Sequence, residues 1–351
     1  MTTVRVVDAD AGYGNVRVLH DLSLSVQSGS LLAVLGASGS GKTTLLRVLA
    51  GFIRPTRGSV WFGDREVAGA GVWVPPEKRG VGIVPQEGAL FPHLDVAANV
   101  GFGLPKGQAH RVEAALELVG MRDALHARPH ELSGGQQQRI ALARALAPEP
   151  KVLLLDEPFT ALDAGLRLRL RQEVKDLLAT LGTTSIMVTH DQEEALSIAQ
   201  YVAVMRGGRI VQMGEPTEIY ERPADLQVAR FVGDVVELPA SRIAEHAVES
   251  PLGRVEIDPT SEGGDGVLVL RPEQLVIVDE RPVGDRDPGG AAGVVRAVSY
   301  HGHDSLFTVA MERGGDIAVR VPGGGHVHPG DRVRILVSGM GRLYQETGID
   351  K

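Results

Sequence analysis

The chain has 351 residues, 43% of them hydrophobic, which is enough to fill the cores of two ordinary domains. Its formal net charge is −8 and its isoelectric point about 5.8, so it lacks the basic surplus of proteins that wrap on nucleic acid. We therefore expect no nucleic-acid partner. The absence of cysteine excludes disulfides, thiolate metal ligands and iron–sulfur clusters.

The N-terminal stretch MTTVRVVDADAGYG contains no long apolar segment, so we expect no signal peptide. Apolar runs such as LLAVL at 31–35 and VLLL at 152–155 are far shorter than the ~20 residues that span a bilayer. We expect a soluble chain that meets a membrane only through a partner.

Alternating strand and helix patterns follow one another up to about residue 232. Short apolar runs with turn residues predict strands over the first 35 residues, the last of them buried. Apolar periodicity and breaker residues then give, in chain order, helix 42–50, helix 111–120, helix 136–146, strand 152–156, helix 166–181 and strand 184–190. This alternation predicts an α/β fold with a mostly parallel sheet.

The pattern changes after about residue 235. Short β-like runs, such as GVLVLRPEQLVIVD, are separated by glycine- and proline-rich turns such as PGGGHVHPG. This pattern is typical of a small barrel or sandwich. We place the boundary near 232–240, which gives an α/β domain over 1–235 and an all-β domain over 236–351.

The stretch GASGSGKTT at 36–44 has the phosphate-loop pattern, between a buried strand and a helix. Backbone N–H groups and the helix N-terminus can surround phosphates there, Lys42 can reach their outer oxygens, and the Thr43 hydroxyl can bind Mg²⁺. A glycine-rich turn before a helix is the alternative. The strand, the spacing and the lysine together favour the phosphate loop.

The stretch VLLLDEP at 152–158 carries two acids at the end of a buried strand. Asp156 is placed to hold Mg²⁺ beside a phosphate loop, and Glu157 to orient and deprotonate an attacking water. Such a pair alone is usually just solvated. Together with a phosphate loop it indicates catalysis.

The stretch LSGGQQQR at 132–139 looks like a second phosphate cradle without a lysine. Ser133 and Gln136 have the spacing of a capping box, which explains them as a helix start. The glycine pair between them, Gly134 and Gly135, suggests in addition that a phosphate comes close to the backbone.

With these motifs, most of residues 1–232 resembles the ATPase subunits of ATP-binding cassette (ABC) transporters, and LSGGQQQR is that family's signature sequence. The resemblance implies an α/β P-loop NTPase cassette with a helical subdomain at about 88–148, followed by a smaller all-β OB-like domain. It implies ATP and Mg²⁺ as cofactors, and a head-to-tail homodimer in which the signature of one chain covers the ATP held by the other.

The resemblance also assigns roles to single residues. Tyr13 would stack on adenine, Gln86 would sense Mg²⁺ and water, and Asp163 of the ALD stretch would lie in the loop that crosses to the sister subunit. Alone, Tyr13 could equally be an ordinary surface aromatic, and Gln86 and His190 could be polar residues at strand ends.

The resemblance also implies full sets of site residues. The implied nucleotide contacts are Tyr13, Gly36, Ala37, Ser38, Gly39, Ser40, Gly41, Lys42, Thr43, Thr44 and Asp163. Ser133, Gly134, Gly135 and Gln136 would act on the partner's ATP. The implied catalytic residues are Lys42, Gln86, Glu157 and His190, and the implied Mg²⁺ ligands are Thr43, Gln86 and Asp156.

The C-terminal part indicates an importer. The stretches 293–322 and 268–277 resemble the transport-associated OB-like module found after many importer cassettes; an unrelated small β domain is the alternative. The family's importers imply two integral membrane permease subunits, an extracytoplasmic solute-binding protein, and a peripheral position on the cytoplasmic side of the inner membrane.

The solute is indicated by VPQEGALFPHL at 84–94 and LARALAPEP at 142–150, which look most like the ferric-iron importer ATPases. Importers of polyamines, sulfate, molybdate, thiamine or sugars share much of this sequence and stay open. A non-transport ATP switch is the alternative from a different class.

Two histidine pairs lie in predicted turns of the C-terminal domain, His301 with His303 and His326 with His328. Alternating histidines can chelate a metal, but without a carboxylate or thiolate set they are weak signals, and exposed turn histidines are the alternative.

Overall fold

A computed structural model gives the fold and describes residues 2–86, 90–105, 107–160, 163–261, 263–279, 290–325 and 327–345. The chain divides into two compact units, Met1–Ile219 and Tyr220–Lys351. No helix in these described ranges is long and apolar enough to cross a membrane.

The described part of the first unit contains ten strands. They are β1 (Val4–Tyr13), β2 (Val16–Val26), β3 (Leu31–Leu35), β4 (Arg57–Phe62), β5 (Arg65–Ala68), β6 (Val81–Val84), β7 (Val152–Asp156), β8 (Thr184–Thr189), β9 (Tyr201–Arg206) and β10 (Arg209–Gly214). The α-helices of the whole described chain are α1 (Lys42–Ala50), α2 (Val96–Gly101), α3 (Ala109–Leu118), α4 (Gly134–Leu146), α5 (Ala164–Leu181), α6 (Gln192–Ile198), α7 (Pro216–Glu221) and α8 (Leu226–Phe231).

The strands of the first unit form an antiparallel sheet and a mixed sheet. The antiparallel sheet has the order β2-β1-β4-β5, and the mixed sheet has the order β10-β9-β3-β8-β7-β6. In the mixed sheet every neighbouring pair is parallel except β9 and β10. The prediction of a mostly parallel sheet is therefore confirmed. Side chains from both sheets and α1 form one buried cluster, and every residue of β3 and β8 is buried.

The parallel register sets the position of the functional residues. β3 lies between β8 and β9, and β7 lies next to β8 on its other side. The carboxyl ends of β3, β6, β7 and β8 consequently meet at one edge of the sheet, where ligands bind in open α/β folds. The helices α2, α3 and α4 pack on one another in the same unit.

The described part of the second unit consists of two five-stranded antiparallel sheets around a buried cluster, as predicted for an all-β, OB-like module. Its strands are β11 (Val236–Ala244), β12 (Ala247–Ser250), β13 (Gly253–Glu256), β14 (Gly266–Leu270), β15 (Leu275–Asp279), β16 (Ala291–Tyr300), β17 (Asp304–Met311), β18 (Asp316–Pro322), β19 (Arg332–Val337) and β20 (Arg342–Tyr344). The sheet orders are β13-β12-β11-β14-β20 and β15-β19-β16-β17-β18.

The segment that precedes β11 is held to the second unit by the buried side chain of Arg271. Its guanidinium donates hydrogen bonds to the carbonyls of Tyr220, Ala229, Gly233 and Asp234 at 2.9–3.1 Å. Those carbonyls lie at the C-terminal ends of α7 and α8, where a helix offers them no donor of its own. The segment 220–235 therefore belongs to the second compact unit. The domain boundary after residue 235, which the sequence pattern indicates, stays a prediction.

Candidate functional site

The turn between β3 and α1 leaves an open cradle of backbone groups. Gly39 and Gly41 have φ values of 80° and 108°, a region that side chains with a Cβ rarely adopt. A Cβ on Gly36 would lie 2.5 Å from Ser40 Oγ, so this position also requires glycine. The Ser40 hydroxyl is buried and has no hydrogen-bond partner within the described chain. The cradle thus fits a ligand rich in acceptor oxygens.

The ammonium group of Lys42 closes over this cradle. It donates to the carbonyl oxygens of Gly36 at 2.7 Å and Ala37 at 3.0 Å. Burial lowers the pKa of Lys42, while the nearby carboxylates of Glu157 and Asp156 act in the opposite direction. Because this cation has lost much of its hydration, direct contact with an anionic ligand would stabilise it strongly.

The end of β7 brings Asp156 to the same place. Burial raises the pKa of Asp156, Glu157 adds to the rise, and the positive charges of Arg47 and Lys42 oppose it. A carboxylate held in such a position is stabilised by a further cation, so the donor set fits Mg²⁺. Thr43, in the first turn of α1, is exposed and supplies a hydroxyl beside the cradle.

Glu157 leaves the strand in a strained conformation. Its φ is 44°, one of four positive values among the described non-glycine residues, and its N–H donates to the carbonyl of Val188 at 3.0 Å. Positive φ at a non-glycine residue costs on the order of 1–3 kcal/mol and persists where the surroundings enforce it.

Three described side chains meet at the Glu157 carboxylate. Gln86 Nε2 donates to Oε2 at 3.2 Å, His190 Nδ1 lies 3.1 Å from Oε1, and the Thr160 hydroxyl donates to Oε2 at 3.3 Å. Gln86 follows β6 and His190 follows β8, so the parallel register brings both side chains to Glu157. Thr160 was not predicted, because a threonine three residues after an acid carries no distinctive signal.

Tyr13 lies beside the helix of the phosphate loop. Its hydroxyl accepts a hydrogen bond from Arg47 Nη1 at 2.8 Å, and the guanidinium carbon is 5.8 Å from the ring centroid. The ring is 45% exposed. A half-exposed aromatic ring can stack on a flat base.

The signature stretch lies at the start of α4. Ser133 Oγ accepts from the N–H of Gln136 at 3.4 Å, and Gln136 Oε1 accepts from the N–H of Ser133 at 2.9 Å, so the expected capping box is present. Among the described residues, neither side chain is bonded to the phosphate loop. A Cβ on Gly135 would lie 2.5 Å from Leu166 Cδ2 of α5, so a larger residue here would require the leucine side chain to shift. Gly134 is exposed at the helix start.

Asp163 caps the following helix. Its carboxylate accepts the N–H of Leu166 at 3.0 Å, and its side chain is exposed. Ala161 and Leu162 of the predicted crossing loop lie outside the described residues. The position of Asp163 leaves it accessible to a second chain.

The histidine pairs of the second unit do not form a metal site in the described ranges. Within those ranges no group of three or more histidine, cysteine or acidic residues is close enough to hold a metal. His303 is 83% exposed and lies 3.6 Å from Asp304, and His328 lies 3.8 Å from Asp331. His326 lies outside the described residues.

Comparison with known proteins agrees with this geometry. Residues 19–160 match the ABC transporter family, and residues 268–338 match the TOBE domain. The chain is 48% identical to the Fe(3+) ions import ATP-binding protein FbpC of Pseudomonas fluorescens, over 93% of this chain and 94% of that protein. It is 45% identical to FbpC 2 of Rhodococcus jostii, over 98% and 99% of the two chains.

Two solved structures resemble the cassette part. One is cbiO1 from Clostridium perfringens, part of the ABC transporter complex cbiONQ, with a TM-score of 0.56 and 30% identity over 62% of this chain and 89% of that one. The other is a dimeric ATP-binding cassette in a post-hydrolysis state bound to ADP and phosphate. Its TM-score is 0.53 and its identity 28%, over 61% of this chain and 98% of that one.

Proposed function

This chain belongs to the ABC transporter family, and we propose that it drives the uptake of ferric iron by hydrolysing ATP. It is an importer ATPase subunit that ends in a TOBE domain. The iron proposal is supported by relatives named for Fe(3+) import that match nearly the whole chain, including the second unit. The single observation that carries the catalytic part is the meeting of Gln86 and His190 at the Glu157 carboxylate, beside Lys42.

ATP binds with its phosphates in the cradle of residues 36–44. The buried backbone groups and the ammonium of Lys42 complement the phosphate charge, and the ring of Tyr13 provides a surface for the base. Thr43, Asp156 and Gln86 would hold Mg²⁺, which when bound neutralises charge on the phosphate oxygens. The capped start of α4 receives the phosphates of the ATP held by a second chain.

Hydrolysis then depends on Glu157. Its carboxylate takes a proton from the attacking water, and the contacts with Gln86 and His190 fix its orientation. His190 would also contact the terminal phosphate. Phosphoryl transfer needs positioning and charge stabilisation more than covalent chemistry, so no covalent intermediate with the protein is required.

The assembly we propose contains two copies of this chain in head-to-tail arrangement. Ser133 to Gln136 of each copy complete the site of the other, and Asp163 lies in the loop that crosses between them. Two membrane permease subunits hold the pair at the cytoplasmic side of the inner membrane, and an extracytoplasmic binding protein delivers the solute. The exposed side chains of Ser133 and Gln136 support this arrangement. In the described chain, the hydrogen bonds given for these side chains are to each other's backbone N–H groups.

The iron proposal is tested by uptake of radioactive ferric iron into cells that carry either the natural chain or its Glu157→Gln variant. We expect the variant to abolish energy-dependent iron uptake and leave sulfate and polyamine uptake unchanged. Unchanged iron uptake with loss of another solute would assign that solute instead. Unchanged uptake of all of them would favour a non-transport ATP switch.

A further inference from the structure

A buried acid lies directly behind the histidine of the hydrolysis site. Glu194, in the first turn of α6, is only 2% exposed. Its carboxyl group accepts a hydrogen bond from the hydroxyl of Thr189, the last residue of β8. Thr189 itself is fully buried, and His190 follows it in the chain. The acid therefore holds the strand residue that precedes the histidine.

Thr189 connects three parts of the site. Its carbonyl accepts the N–H of Gly36, the first residue of the phosphate loop, at 3.4 Å. Its hydroxyl accepts the N–H of Asp191 at 3.0 Å, so the peptide that follows His190 is tied to this side chain, while the peptide that precedes His190 is tied to the phosphate loop. A rotation of the Thr189 side chain would consequently move the peptide of His190 relative to the phosphate loop and Glu157.

The same corner is braced from α5. Asp191 caps α6 by accepting the N–H of Glu194 at 2.9 Å, and Arg171 donates to its other carboxylate oxygen at 2.7 Å. Arg171 is nearly buried and comes from the helix that Asp163 caps. Asp191 is thereby held by both α6 and α5, and the hydroxyl of Thr189 has Glu194 as its acceptor.

The buried position of Glu194 is costly for a carboxyl group. Among the described residues, its second carboxyl oxygen is buried without a hydrogen-bond partner. Burial raises the pKa of Glu194 to about 7, with Asp191 adding to the rise, while the Thr189 hydrogen bond and the charges of Arg171 and Arg167 oppose it. A residue retained at such a cost needs another reason.

We propose that Glu194 is a positioning residue of the hydrolysis site, which holds His190 against Glu157 through the hydroxyl of Thr189. This inference rests on the proposed role of His190 and goes beyond it. Glu194 touches neither substrate nor the reacting atoms. Its effect is on the orientation of the histidine, so it belongs to the chemical step rather than to ATP binding.

The test compares shape-matched variants of the full-length chain. Glu194→Met and Thr189→Val each remove one partner of the hydrogen bond and keep the volume, whereas Glu194→Gln keeps an acceptor. We expect Glu194→Met and Thr189→Val each to lower kcat on the order of tenfold and to change KM for ATP by less than about twofold. Glu194→Gln should retain activity. Glu193→Gln on the same helical turn, with a side chain 90% exposed, is the control and should behave as the natural chain.

A double-mutant cycle with His190→Ala separates this role from a general structural one. Once His190 is absent, adding Glu194→Met should cause no further loss of kcat, because there is no imidazole left to position. If all variants have equal melting temperatures and the losses of kcat from Glu194→Met and His190→Ala are additive, the positioning role of Glu194 is overturned. The proposed role of His190 would stand in that case. Full activity of His190→Ala would remove the proposed role of His190, and the inference would fall with it.

Discussion

At the scale of single residues, the site depends on a carboxylate in an unusual conformation. Glu157 combines a positive φ with contacts to side chains from two other strand ends. The motif DEP identifies this residue from sequence, because an acid after a buried strand is meaningful next to a phosphate loop. Its backbone strain and the Thr160 contact could not be predicted, since both arise from the packing of the following turn.

The Glu157→Gln variant should bind ATP with nearly natural affinity and hydrolyse it ~10²–10⁴-fold more slowly. The amide keeps the shape and the contacts with Gln86, but it cannot accept the proton of the attacking water. Single-turnover hydrolysis and equilibrium binding of ATP separate the two effects. Hydrolysis at close to the natural rate would give the role of base to another residue.

The buried acid Glu194 predicts a dependence of stability on pH. Its pKa rises from 4.5 to about 7 on folding, so the folded state binds more protons than the unfolded state. The stability gained from this protonation is complete below about pH 4.5 and is lost as pH rises towards 7. Glu194→Gln, which cannot ionise, avoids that loss.

Urea unfolding at several pH values checks this expectation. The variant should match the natural chain near pH 4 and exceed its free energy of unfolding by up to ~3 kcal/mol near pH 8. Glu193→Gln should show no such trend. A constant difference between Glu194→Gln and the natural chain across this range would mean that Glu194 does not titrate there.

The sequence did not reveal Glu194. In HDQEEA two consecutive glutamates at a helix start look alike, and both are favourable near the positive end of a helix. Only the packing of α6 against β8 distinguishes them, by burying Glu194 and leaving Glu193 exposed. Burial of one polar residue on a short helix depends on tertiary contacts, which a local pattern does not contain.

At the scale of elements, the most predictable parts are those with strong periodicity. α1, α5 and β7 agree with the predicted spans to within two residues, because a glycine, an acid cap or a strand end marks each boundary. Gly135 shows the limit of that approach. The sequence pattern relates this glycine to an approaching phosphate, and its close contact with the side chain of Leu166 in α5 could not be predicted from that pattern.

The end of α1 depends on the buried side chain of Arg79. Its guanidinium donates to the carbonyls of Val48 and Leu49 in the last turn, and to Val67 and Val74, at 2.7–3.3 Å. Arg79→Met would leave the carbonyls of Leu49 and Val74 without this donor, at roughly 1–3 kcal/mol each, whereas those of Val48 and Val67 also accept the N–H groups of Gly51 and Val74. We expect the variant to lose at least ~2 kcal/mol of unfolding free energy.

Denaturant unfolding of both variants provides the comparison. The exposed neighbour Arg65 is the matched control, and its change to methionine should cost less than ~0.5 kcal/mol. An Arg79→Met variant as stable as the control would show that water replaces the guanidinium at these carbonyls.

At the scale of the whole molecule, the assembly we propose gives each chain two half-sites. The phosphate loop with Glu157 forms one, and the capped start of α4 forms the other. Sequence predicts both halves, and the proposed assembly unites them across two copies of the chain. The second unit adds its own core and the Arg271 anchor.

The most direct measurement of the composite site uses the absence of cysteine from the chain. One batch carries Ser38→Cys in the phosphate loop and another carries Ser133→Cys in the signature, both with Glu157→Gln to retain ATP. Mixed in the presence of MgATP and a mild oxidant, the two batches should form a disulfide-linked dimer, and either batch alone should not. A crosslink within a single batch, or none in the mixture with ATP bound, would contradict the head-to-tail composite site.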